Sequence, residues 1–151
     1  MRVAWLFAVA GCWTAGEPTP RATPYPEARP VEREPFPLHS KWHGQYRCSQ
    51  GVTAMYLELT AKPDGALTAI FEFGPTPENP QVPTGAYRLE GKIRAGSQGT
   101  FEIALAPLEW IMEPEGYIMV SLSATSSRKQ RRLVGRIEHP ACGELDVRRA
   151  D

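Results

Sequence analysis

The chain has 151 residues, with 17 Lys plus Arg set against 17 Asp plus Glu, so its formal net charge is zero at pH 7. That balance argues against duplex nucleic acid as a partner, because such binding needs a basic excess. The length leaves room for one ordinary domain beside any leader or linker.

Met1 and Arg2 give a minimal positive start, and residues 3–10 (VAWLFAVA) form an apolar run. The run is at the short end of the roughly 7 to 15 residues of a signal peptide. It is too short to span a membrane, which takes about 20 apolar residues, and it gives way at Gly11 to Thr14, Gly16, Glu17 and Pro18. Val9-Ala10-Gly11-Cys12 resembles the lipobox of bacterial lipoproteins. The resemblance implies removal of residues 1–11, diacylation of the Cys12 sulfur and a lipid anchor in the cell envelope. The envelope site is the outer membrane, the periplasmic face of the inner membrane or the cell surface. Trp13 follows the cysteine in place of the aspartate that favours inner-membrane retention, so an outer-membrane destination is permitted. Lipidation of Cys12 also accounts for the odd number of cysteines, leaving Cys48 and Cys142 as a pair.

Residues 16–38 (GEPTPRATPYPEARPVEREPFPL) hold seven of the 15 prolines among alternating charges. No core can form there. Proline at that density favours extended polyproline II geometry, a semi-rigid tether able to lift a domain off a membrane surface; a PxxP ligand for a partner is the alternative use. The expected boundaries are 1–11 for the signal peptide, 12–39 for the lipidated Cys12 and tether, and 40–151 for the folded domain.

In the domain, apolar and polar residues alternate with period two, the pattern of strands with one face buried. A first strand is expected near residues 44–49. Met55, Leu57 and Leu59 mark the second, and Leu67, Ala69, Phe71 and Phe73 the third. Tyr87, Leu89 and Ile93 follow, then Phe101, Ile103 and Leu105, then Val120 and Leu122, then Leu133 and Ile137, and last Leu145 and Val147. Turn signals separate them at residues 62–65, 94–99 and 126–131. The expectation is an all-β domain, a small antiparallel β-barrel of about eight strands, with a two-sheet β-sandwich as the alternative. In a closed barrel the first and last strands are neighbours. A disulfide between Cys48, in the first, and Cys142, just before the last, would lock the closure in an oxidising compartment, the alternative being two free buried thiols or a two-ligand metal site.

Trp42-His43-Gly44-Gln45-Tyr46, opening the first strand, resembles the start of lipocalin and other calycin barrels, in which a tryptophan closes one end. Asp64-Gly65-Ala66-Leu67-Thr68, after Gly51-Val52-Thr53, resembles the early hairpin of avidin-type barrels, as do Tyr87-Arg88-Leu89-Glu90-Gly91 and Gly99-Thr100 further on. The resemblance implies architecture alone. Avidin-type barrels line their biotin site with tryptophans from later strands, whereas here Trp110 is the only tryptophan after the first strand.

Residues 108–117 (LEWIMEPEGY) form the most unusual stretch, an apolar and aromatic loop with three carboxylates. It either folds back to plug a barrel end or forms a recognition surface. In the second case Trp110 and Tyr117 supply flat contact area, and Glu109, Glu113 or Glu115 a polar anchor. The proline-rich residues 74–85 read as a structural loop or a rim, and residues 50–53 as a hairpin turn. Arg128-Lys129-Gln130-Arg131-Arg132 reads as a solvated hairpin tip, or else as a contact for anionic headgroups or wall polymers.

Catalytic signatures are missing. There is no GxSxG elbow and no glycine-rich phosphate loop, and the nearness of carboxylates in sequence on one loop does not supply the set separation that glycoside hydrolysis needs; an enzyme, the third reading, would require two titratable side chains converging in one cleft. His39, His43 and His139, near Cys48, Cys142 and Glu144, allow a zinc site, but exposed strand-end histidines are the plainer reading. The expectation is a lipid-anchored, non-catalytic binding module without cofactor or metal, meeting a small molecule or an envelope protein. The alternative is a structural or assembly lipoprotein with a packed barrel and no ligand.

Overall fold

The alternating runs become eight strands in a computed structural model that describes residues 36–127 and 131–150. They are β1 (His39–Cys48), β2 (Gly51–Ala61), β3 (Ala66–Gly74), β4 (Gly85–Ala95), β5 (Thr100–Met112), β6 (Ser121–Ser127), β7 (Arg132–Glu138) and β8 (Glu144–Ala150). Each pairs antiparallel with the next, and β8 returns to pair with β1, closing a barrel in place of a sandwich. The only helical element among the described residues is one short 3-10 turn, Ser97–Gly99. The expected signal peptide, Cys12, most of the tether, and Arg128, Lys129 and Gln130 lie outside the described residues.

β1 begins earlier than its alternation indicates. Ser40, a polar residue, faces inward because its hydroxyl accepts a hydrogen bond from Trp42 Nε1 at 3.0 Å, and both side chains are buried. Trp42 pairs in register with Leu57 on β2 and Arg149 on β8, while Phe36 meets Phe101 edge-on at 5.3 Å. These residues fill the end of the barrel where β1 starts and β8 ends, the terminal end. The opposite end carries the bond between Cys48 and Cys142, the disulfide end, where the Gly143 N–H also donates to the Arg47 carbonyl at 2.8 Å.

Closing eight strands into so narrow a ring requires sharp bends, which proteins commonly place at glycine. A Cβ on Gly44 would lie 2.2 Å from the Asp146 carbonyl oxygen, one on Gly91 1.8 Å from that of Ala104, and one on Gly135 1.9 Å from that of Ser123. At these points only hydrogen fits between one strand and the next. Elsewhere the interior is filled by large side chains, among them Met55, Leu57, Leu59, Leu67, Phe71, Tyr87, Leu89, Leu122, Leu133, Ile137 and Leu145. Among the described residues, no buried side-chain nitrogen or oxygen lacks a hydrogen-bond partner. The barrel is therefore a packed core.

Candidate functional site

β5 continues through residues 108–112, which alternation marks as loop. The register explains the mismatch. Leu89 pairs with Pro107, Arg88 with Glu109, Tyr87 with Trp110 and Ala86 with Met112, so Leu108 and Ile111 are each one residue too many. These are two successive β-bulges, which locally break the pleat and re-aim the side chains beyond them. Pairing of β5 with β6 ends at Leu105 and Leu122, two residues before Pro107, which has no N–H to offer a ladder.

The bulges divide this segment into two sets of side chains. Trp110 turns inward, edge-on to Tyr87 at 5.2 Å and to Phe73 at 6.4 Å. Leu108, Ile111 and Met112 stay 54, 50 and 54% exposed, and Ile118 on the returning segment is 62% exposed. Single exposed apolar residues are ordinary; here four fall along eleven residues of a strand and its return.

The returning segment is held from inside. Tyr117 stacks on Phe73 at 5.4 Å, and the Tyr87 hydroxyl donates to the Val120 carbonyl at 3.1 Å while accepting the Val120 N–H at 3.3 Å. Phe71 stacks on Tyr87 at 4.9 Å and meets Tyr46 edge-on at 5.7 Å. Burial pushes the Tyr87 hydroxyl well above its ordinary pKa of 10.0, the bond to Val120 opposing the rise. Burial does the same to Tyr46, against its bond to Thr53.

Trp110 and Tyr117, expected as flat contact area, are thus brought together around Phe73, half-buried as plugs of the disulfide end. Glu109 is exposed and paired with Arg88 at 3.1 Å, and Glu113 and Glu115 are exposed. Sequence reading missed the outward set, Leu108, Ile111, Met112 and Ile118, as a group distinct from the inward aromatics. Its one available signal was the break in alternation just after Pro107.

The histidines occupy separate places. His39 bonds Thr60 Oγ1 at 3.2 Å and pairs with Glu58 at 3.0 Å, and His139 Nδ1 accepts the Ala141 N–H at 3.2 Å. His43 stands on the outer face of β1, opposite Tyr56 and Arg148. Among the described residues, no three His, Cys, Asp or Glu side chains converge as a metal site would require. Asp146 accepts two hydrogen bonds from Arg132, through Nε at 2.6 Å and through Nη2, and these hold its carboxyl below its ordinary pKa.

No protein-family model matches the chain, and no curated protein matches it.

Proposed function

We propose that this protein is a lipid-anchored, non-catalytic binding module of the cell envelope, meeting a protein partner on the outside of its barrel at residues 108–118. One observation carries the reading: four large apolar side chains, Leu108, Ile111, Met112 and Ile118, face solvent on a segment pinned from within by Trp110, Tyr117 and Tyr87. The packed interior favours recognition by the surface over a ligand held inside. The lipobox-like residues 9–12 and the proline-rich tether support the anchor. A structural or assembly lipoprotein with no ligand is the second reading, favoured by the same packing.

The test replaces Met112 with a photo-crosslinking phenylalanine in cells, with the exposed Thr68 on β3 as the control position. A discrete adduct at Met112, absent at Thr68 and lost in a Leu108→Ser, Ile111→Ser variant with unchanged urea midpoint, supports the binding module. No adduct at either position leaves the structural reading. Mass spectrometry of membrane-extracted protein reads the anchor separately, as a diacyl or triacyl mass on a chain starting at Cys12.

A further inference from the structure

Among the described residues, Tyr56 is the only Phe, Trp or Tyr that is exposed, at 56%. Every other described aromatic ring serves the core or plugs an end of the barrel. Tyr56 lies on the outer face of β2, opposite His43 on β1 and Glu72 on β3, and at the border of a groove of about 690 Å³ across β8, β1 and β2.

The groove has a built shape. Its floor is low at Ala54, which lies opposite Gly74 on β3. One wall is Pro75, Thr76 and Pro77, part of the loop between β3 and β4. That wall is fixed: Asn79 Nδ2 donates to the Gln50 carbonyl at 2.5 Å, Thr76 Oγ1 donates to the Val52 carbonyl at 3.3 Å, and Val82 is buried in the core. Gly51 permits the approach. Its φ is 101°, and a Cβ there would stand 2.8 Å from Asn79 Nδ2.

The lining carries both signs, Arg47 and Arg148 with Glu144 and Asp146, the last already bonded to Arg132 on β7. With cations and carboxylates both in the lining, a ligand of either sign meets like charge there. It offers planar donors and acceptors, with the exposed Tyr56 at its border. A pyranose matches both, because its C–H face is apolar and its hydroxyls each donate and accept. A larger depression of about 860 Å³ on the outer face of β4 to β7 has no aromatic in its lining and so nothing on which a ring could stack.

We infer that the β8–β1–β2 groove binds a neutral oligosaccharide, with Tyr56 as the stacking platform and Gln45 and His43 among the polar contacts. This goes beyond the partner surface at residues 108–118 and uses a different face.

The test is a titration of the full chain in detergent with triacetylchitotriose and, separately, maltotriose, followed by amide NMR. Saturable shifts on the outer positions of β8, β1 and β2 with at least one sugar, weakened roughly tenfold by Tyr56→Ala or by Ala54→Phe, support the inference; tenfold corresponds to about 1.4 kcal/mol. Both substitutions face outward, and unchanged urea midpoints show that folding is intact. No saturable shift with either sugar, shifts at residues 108–118 instead, or an affinity unchanged by both substitutions overturns it. So does tighter, salt-sensitive binding of a sulfated oligosaccharide, which would make the groove an anion site. The Met112 crosslink is read independently, so failure of either idea leaves the other standing.

Discussion

Tyr87 joins the core to the segment that returns from β5 to β6 through one hydroxyl. Its ring stacks on Phe71 inside the barrel, and its oxygen satisfies both backbone groups of Val120. Tyr87→Phe keeps the ring and strands those groups, so it should cost about 1–2 kcal/mol in urea unfolding and speed amide exchange at Val120. The buried tyrosines also set an alkaline limit. Each folded-state pKa is raised above the unfolded 10.0, so their contribution is complete below pH 10 and is lost as pH rises past it. Urea midpoints should fall steeply above pH 10, and less steeply in Tyr46→Phe. Asp146 has the opposite sign: its pKa is depressed by Arg132, so its small contribution is present above the unfolded 3.8 and lost as pH falls below it.

At the level of strands, alternation was enough to place most of the barrel. Met55, Leu57 and Leu59 on β2, and Leu67, Ala69, Phe71 and Phe73 on β3, all face inward as their spacing predicts. β5 was legible only to Leu105, because two bulges break the period and make a strand look like an apolar loop. The close approaches at Gly44, Gly91 and Gly135 were not legible at all. The atom that crowds each glycine belongs to a neighbouring strand, and no local pattern reports that distance. Gly135→Ala should therefore destabilise the domain by roughly 3 kcal/mol or more, as forced overlap in a core does. Gly99→Ala, with open space around its Cβ, should cost only the strain of a positive φ, about 1 kcal/mol. Thermal melts of the two variants test the contrast. The groove was equally hidden: alternation points Tyr56 outward, but only the folded position of Pro75 to Pro77 gives it a wall.

The whole barrel is closed twice, by the pairing of β1 with β8 and by the bond between Cys48 and Cys142, 94 residues apart in sequence. The chain-entropy account of so long a loop gives about 4 kcal/mol or more. Cys48→Ser with Cys142→Ser should lower the urea-derived stability by an amount of that order while leaving the eight-strand circular dichroism spectrum in place. The position of the bond has a mechanical consequence. A tether pulling at His39 would draw β1 out from the terminal end, parting its ladders with β2 and β8 pair by pair. Extraction would stop at Cys48, where the covalent link takes the load, so at most the ten residues of β1 could be paid out before the rest of the barrel resisted as one closed loop.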